Sequence, residues 1–234
     1  MGMTEAQSAA DSNRVHIVDL ADIPGGGYLT LLQWRDTFSI EFGTEELMGS
    51  CVRHSEEALA DLACARLDNP QASILIGGLG MGFTLRAALA ALPAGASIVV
   101  AELVPKIVEW ARGPLAHLFG DSLNDPRLSL EIVDVHDVID REVARFDAIL
   151  LDVDNGPDGL IQLANDRLYC NWGLRAAHSA LRPGGILAIW SAYADEAFAD
   201  RLKAAGFAVD EVTMPANDRE DSRDNTIWFA TRLD

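Results

Sequence analysis

The rhythm of apolar and polar positions changes near Ala72, and that change divides the chain. Ahead of it, Val15–Asp19 and Tyr28–Trp34 read as strands on either side of the turn Pro24-Gly25-Gly26-Gly27. Thr37–Phe42 alternates in period two after the turn-like Arg35-Asp36. Together these predict a small antiparallel β unit over residues 15–53. Ser55-Glu56-Glu57, followed by Ala58, Leu59, Leu62 and Ala63, predicts a helix capped by Ser55 and ending near Asn69-Pro70.

Beyond Ala72, short wholly apolar runs alternate with amphipathic ones. Ser73–Ile76, Ser97–Ala101, Leu128–Val133, Ala148–Leu151 and Ile186–Trp190 read as strands. Thr84–Leu92, Pro105–His117, Val138–Ala144, Tyr169–Leu181 and Glu196–Ala205 read as helices. Strands without a polar face are covered on both sides, which is the condition of a parallel sheet between helices. Phe207–Thr213 and Thr226–Thr231 are joined only by the hydrophilic stretch Asn217–Asn225. A connection without a helix makes that pair antiparallel. The pattern predicts an α/β fold over residues 54–234. Its sheet is Rossmann-like and methyltransferase-type, mostly parallel with an antiparallel last strand. Residues 1–14 are polar and read as a disordered tail.

Composition narrows the partners. Of 234 residues 49% are hydrophobic, enough for one sizeable core, and 36 Asp and Glu outweigh 18 Lys and Arg to give a net charge of −18. Such a surface repels nucleic acid and anionic membranes and suits a small cationic substrate. Cys51, Cys64 and Cys170 form no C-x-x-C pair and have no clustered histidines, so neither a disulfide framework nor a metal site is expected. Met1–Arg14 lacks the apolar stretch of a signal peptide, and no apolar run is long enough to span a bilayer. A cytoplasmic location is the expectation.

The candidate chemistry lies at predicted strand ends. Ile74-Leu75-Ile76 runs into Gly77-Gly78-Leu79-Gly80-Met81-Gly82, a glycine turn opening a helix where backbone can approach a ligand closely. A dinucleotide site needs a third glycine at position 83, which is Phe83 here, so the spacing suits a cofactor without a pyrophosphate. Glu102 ends the second apolar strand, placed to accept from ribose hydroxyls. Asp134 ends the third, beside Val135, placed to accept from an adenine amino group, and Asp152 ends the fourth. Each acid alone serves equally well as a helix cap; four features at strand ends point to one ligand cleft.

These motifs resemble those of the spermidine synthase family, the aminopropyltransferases, from about Tyr28 to Leu233. Gly77–Arg86 is similar to that family's G-G-G-D-G-G with T-L-R, and Glu102–Pro105 to its E-I-D-P. Asp125-Pro126-Arg127 followed by Asp134 is similar to D-P-R with G-D. Leu168-Tyr169 and Leu181–Gly185 match its L-Y and L-K-P-G-G landmarks. The resemblance implies an N-terminal β domain, a Rossmann-like catalytic domain, homodimers, and either S-adenosylmethionine or its decarboxylated form. It also implies cofactor contacts from Gly78, Gly80, Met81, Gly82, Glu102, Asp134, Val135 and Asp152. The family's Asp152-type acid helps deprotonate the attacking amine, with Asp154 and Asn155 in the neighbouring substrate loop and Tyr169 as a substrate-pocket candidate.

The departures guide the functional expectation. Met81 stands where the family carries the acid that recognises the amine of the decarboxylated donor, so the intact methionine moiety is expected to be tolerated. Asn155 replaces a second loop acid, and Arg53-His54-Ser55-Glu56-Glu57 replaces the polyamine-binding Tyr-His-Glu. Methyl transfer from S-adenosylmethionine to a small amine-bearing acceptor is therefore the first expectation, with Asp152 or Asp154 taking the proton. Aminopropyl transfer is the alternative, and a non-catalytic nucleoside-binding protein a third reading.

Overall fold

The computed structural model describes residues 14–153, 165–215 and 224–233. The expected N-terminal tail, Asp154, Asn155 and most of the predicted Asn217–Asn225 loop lie outside the described residues.

Four antiparallel strands form the N-terminal sheet in sequence order: β1 (His16–Asp22), β2 (Tyr28–Trp34), β3 (Thr37–Phe42) and β4 (Glu45–Gly49). Pattern reading places β2 and β3 to the residue and omits β4. That strand is short, opens on two acids, and follows a turn at Gly43 with φ +63°. The strand β1 is tied down from outside the sheet. Trp110 Nε1 donates to Asp19 Oδ2 at 3.0 Å, and Lys106 Nζ lies 3.2 Å from the same oxygen.

The large sheet has seven strands: β5 (Ser73–Gly77), β6 (Ser97–Glu102), β7 (Leu128–Ile132), β8 (Phe146–Leu151), β9 (Leu181–Ser191), β10 (Phe207–Pro215) and β11 (Asp224–Arg232). Their spatial order is β10-β11-β9-β8-β5-β6-β7. Only β11 runs against the rest, inserted between β9 and β10 and antiparallel to both. The buried strands alternate sides. Ile74, Ile76, Val100, Ala148 and Leu150 pack into one core cluster, while Leu75, Val99, Ala101, Ile149 and Leu151 pack into the other. Both faces are thus dry, which is why these strands carry no polar alternation. Leu31 and Ile40 of the N-terminal sheet join the first cluster.

Helices cover both faces: α1 (His54–Cys64), α2 (Phe83–Ala91), α3 (Pro105–Arg112), α4 (Ala116–Phe119), α5 (Val135–Arg141), α6 (Asp166–Tyr169), α7 (Asn171–Ala180) and α8 (Glu196–Ala204). Two expected helices are each broken in two. Pro105–His117 is interrupted at Gly113-Pro114, and Tyr169–Leu181 at Cys170, whose ψ of 165° is extended. The helix α1 starts one residue before the expected cap. Arg53 occupies the cap position with no side-chain bond, and Ser55 is buried in the first turn. No described helix is long and apolar enough to cross a membrane.

Chain order sets the site. The sheet grows from β5 through β6 to β7 on one side, then returns to lay β8 on the other. At such a reversal the loops after the two central strands diverge and leave a crevice at the strands' carboxyl ends. At the opposite, amino ends, Arg127 fastens β7 to α2. It donates to Leu92 O at 2.7 Å and Leu89 O at 2.9 Å, and meets both Asp125 oxygens at 3.0 and 2.9 Å. That pairing holds the Asp125 carboxyl down at about 2, through Arg127 first. Arg127→Met strands two helix-end carbonyls and removes the partner of Asp125, a loss of ~1–3 kcal/mol. Thermal denaturation at neutral pH should show a midpoint lower by several degrees with ligand affinity unchanged. The difference should shrink as pH falls from the ordinary carboxyl value of 3.8 toward about 2, where Asp125 protonates in the wild type.

Candidate active site

The crevice between β5 and β8 opens into a cleft whose floor is the glycine turn. Gly78, Gly80 and Gly82 have φ of +87°, +49° and +81°. Two of them answer to their own chain as much as to a ligand. A Cβ on Gly78 would lie 2.6 Å from Asp152 O, and one on Gly82 would lie 2.3 Å from the Phe119 ring. The turn is thereby pressed against the backbone at the end of β8 on one side and the Phe119 ring of α4 on the other.

Glu102 holds that turn in place. It is 6% exposed, and its two carboxylate oxygens accept from Leu79 N and Val104 N, each at 2.8 Å. Burial pushes its carboxyl up from 4.5, and the backbone amides oppose that shift. The amides of Gly80 and Leu103 also bear on the carboxylate, so four backbone N–H groups surround it. The carboxylate therefore belongs to the core, contrary to what a strand-end acid implies when read from sequence.

Asp134 also has two duties. Its side chain caps α5, accepting from His136 N at 2.9 Å, and its other oxygen is ion-paired with Arg167. Val135 lines the cleft beside it.

Asp152 follows β8 directly. Thr84 Oγ1 donates to Asp152 Oδ2 at 2.6 Å, and burial pushes the carboxyl up from its ordinary range. Glu56, on the first turn of α1, lines the same cleft. Its carboxyl is pushed up from 4.5 to about 8, first by burial and then by the nearby charge of Asp152. Ser55 Oγ lies 3.3 Å from Glu56 Oε2, and Thr84 Oγ1 lies 3.4 Å from Glu56 O, so one hydroxyl-lined corner holds both acids. Two like charges in a poorly hydrated corner favour a cation entering between them, or a proton on one of them.

Of the expected site residues, the cleft gathers Gly78, Gly80, Met81, Gly82, Glu102, Asp134, Val135 and Asp152. Met81 is 2% exposed and adds no charge. Tyr169 is elsewhere: it closes α6, is 1% exposed, and packs edge-on against Phe198 at 5.9 Å in the second core cluster. Asp154 and Asn155 lie outside the described residues. Sequence reasoning missed Glu56 as a site residue. The signal was present, because Glu56 shares a helical stripe with Leu59, Ala60 and Ala63, all fully buried. Missed too was the wall opposite the glycine turn, formed by Ile23, Leu29, Phe42, Leu47 and Met48 from the N-terminal sheet. Among the described residues no group of His, Cys, Asp and Glu is arranged to hold a metal ion.

Comparison with known proteins agrees with this geometry. Polyamine aminopropyltransferase 2 of Pseudomonas aeruginosa is 31% identical over 137 residues, which are 57% of this chain and 37% of that protein. The polyamine aminopropyltransferase of Nitrosomonas europaea is 28% identical over 155 residues, 63% of this chain and 46% of that one. The match therefore spans less than half the length of these curated relatives. The crystal structure of spermidine synthase from Thermotoga maritima superposes with a TM-score of 0.73 at 16% identity, covering 92% of this chain and 72% of that one. At that identity the likeness is one of fold, and it extends over the small N-terminal sheet as well as the seven-stranded one. Residues 53–196 match the family model described as spermine/spermidine synthase domain. More than half of the sequence, from the first turn of α1 to the start of α8, carries that match, and the chain belongs to the spermine/spermidine synthase family.

Proposed function

We propose that this protein is an aminopropyltransferase, moving an aminopropyl group from decarboxylated S-adenosylmethionine to an amine. The observation that carries the reading is the buried pair Glu56 and Asp152 at the edge of the glycine turn. Aminopropyl transfer brings two amines to one cleft, the donor's own and the acceptor's, and two carboxyls stand there to receive them. The first expectation, methyl transfer, rested on the loss of an acid at Met81. It gives way because Glu56 supplies a carboxyl that the motif comparison did not count, and because both curated relatives described above are named aminopropyltransferases.

The residues fit a nucleoside donor. Glu102 lines the cleft at the end of β6, on the side where ribose would lie, and Asp134 with Val135 bounds the side where adenine would lie. When bound, the donor supplies a carbon made electrophilic by its sulfonium. Asp152 attracts the acceptor ammonium, orients it, and takes its proton, which leaves the nitrogen lone pair free to form the new C–N bond. The C–S bond breaks with its electron pair going to sulfur, and the nucleoside leaves as a neutral thioether. Thr84 fixes the Asp152 carboxylate through the 2.6 Å hydrogen bond, so the base is held before the amine arrives. Methyl transfer would leave S-adenosylhomocysteine, whereas aminopropyl transfer leaves methylthioadenosine, so the released nucleoside separates the two.

Two outcomes follow from the acid pair. Incubation with the decarboxylated donor and an amine mixture should release methylthioadenosine by mass spectrometry. Asp152→Asn should lower that rate by ~10²-fold or more while leaving donor affinity by calorimetry unchanged, as for a lost base. Release of S-adenosylhomocysteine alone, from the intact donor, would return the reading to methyl transfer. The second outcome concerns stability without ligand. In the unfolded chain Glu56 ionises near 4.5, whereas in the fold it holds its proton to about 8. Between those values the unfolded state loses its proton first, so this group's contribution to stability falls as pH rises. Glu56→Gln removes that penalty. Its thermal midpoint relative to wild type should climb from pH 4.5 to about 8 and then level off; a flat difference would show that Glu56 ionises normally.

A further inference from the structure

We infer that Trp190 is a specificity-determining residue on the acceptor side of the cleft, its indole holding the attacking ammonium by a cation–π contact. The inference rests on the aminopropyl-transfer reading for which molecule brings that amine, and on strand order for where the amine lies. Across the cleft the strands run β9-β8-β5-β6-β7. The groups assigned to the donor stand at the ends of β5, β6 and β7: the glycine turn, Glu102 and Asp134. Asp152 follows β8, in the middle of that row. A nucleophile aligned for attack on a donor seated over the glycine turn comes from the other side of Asp152. There β9 ends, and its Trp190 lines the cleft.

Register brings the indole to Asp152. Leu151 of β8 is paired with Ile189 of β9, and Asp152 and Trp190 are the next residues of the two chains. Leu151 and Ile189 both belong to the second core cluster, so Asp152 and Trp190 turn to the opposite face of the sheet. Trp190 packs there against the first cluster, Thr84 meets Asp152, and α1 carries Glu56 across the same two strands. Neighbouring strands are about 4.8 Å apart, which sets the aromatic side chain beside the carboxylate. Trp190 is half-buried, but its Nε1 is fully covered, so the accessible part of the side chain is ring carbon. The cleft thus presents an indole surface next to two carboxyls. Indole attracts a cation over its face more strongly than any other side-chain ring. The acids take the ammonium's N–H bonds, and the ring takes its charge and the first carbons of its chain. Trp190 selects for positive charge at the attacking nitrogen, whatever the rest of the acceptor carries.

The test is steady-state kinetics with the decarboxylated donor and 1,4-diaminobutane as the probe amine, comparing wild type with Trp190→Phe and Trp190→Leu. Trp190→Leu should raise the amine KM at least ~10-fold and leave kcat nearly unchanged, as for a lost cation–π contact in a desolvated site. Trp190→Phe keeps a π face and should raise KM by no more than about threefold. Equal increases in both variants, or an unchanged KM in Trp190→Leu, would overturn the cation contact while leaving aminopropyl transfer intact. A fall in kcat alone would make Trp190 a support of Asp152 and overturn it too. Methylthioadenosine affinity by calorimetry should be the same in all three proteins; a parallel loss would mean that the residue only holds the cleft together. Calorimetry of 1,4-diaminobutane on protein saturated with methylthioadenosine needs no chemistry. Weaker binding to Trp190→Leu, with no turnover by any of the three, would support the contact and defeat the transfer reading. No binding to wild type would overturn the contact. Indole emission adds a readout that core packing does not move. Saturating amine should change the emission of wild type and not that of Trp190→Phe, and a change that persists in the variant would put the amine elsewhere.

Discussion

A single carboxylate, Glu102, sets the height of the cleft floor. It is nearly inaccessible, yet it reaches backward to Leu79 N in the glycine turn and forward to Val104 N at the start of α3. Burying an anion is costly unless hydrogen bonds replace its water, and these two amides are that replacement. Because both loops hang on the same group, the separation between the turn after β5 and the segment after β6 is fixed by one side chain's length. The glycines allow the turn to be pulled this close: at Gly78 and Gly82 any side chain would strike Asp152 O or Phe119. From that fixed floor the positions of Asp152 on one side and Asp134 on the other follow from their strands.

The acid corner depends on the same floor from above. Thr84 lies in the first turn of α2, so the helix that leaves the glycine turn also carries the hydroxyl that holds Asp152. Its oxygen also touches the backbone of Glu56, which brings α1 into register with α2. Residues far apart in sequence, Glu56, Thr84 and Asp152, are therefore united by the packing of two helices on the strand ends. Burial raises both carboxyls, so the corner favours a proton on one of them or a cation beside them.

Much of the fold was legible because burial writes a simple pattern. Runs such as Ile74–Ile76 and Ala148–Leu151 have no polar member since both of their faces are dry, and β3 alternates since one of its faces is not. The misplacements have local causes. The strand β4 opens on Glu45-Glu46 and is only five residues long, too short for its alternation to stand out from a loop. Cys170 interrupts a helix by backbone conformation alone, which composition does not announce. At the site, the cleft residues at strand ends were readable, because chain order alone puts them at the crevice. Glu56 was not, because acids in a helix's first turn are ordinarily read as favourable to the helix dipole and exposed. Its buried stripe with Leu59 and Ala63 outweighs that habit only once the helix is known to lie on the sheet. Tyr169 failed the other way: a polar hydroxyl near a strand end suggested substrate, and its ring belongs to the core.

The two halves of the cleft are under unequal constraint. One half is built from strand termini, positive-φ glycines and a carboxylate bonded to backbone, so a change there moves the framework itself. The opposing wall is side-chain surface on a four-stranded sheet whose outer strand, β4, pairs with β3 through a register shift: Ile40 faces Met48 and Glu41 faces Glu46, leaving Leu47 as the extra residue on β4. A bulged edge strand tolerates substitution without disturbing a central sheet. Exchanging Leu47 or Met48 alters the surface of the cleft wall, whereas exchanging Gly82 or Glu102 alters the fold. The corner that holds Glu56 and Asp152 is carried instead by α1 and the end of β8, so exchanges on the N-terminal sheet leave its acids in place.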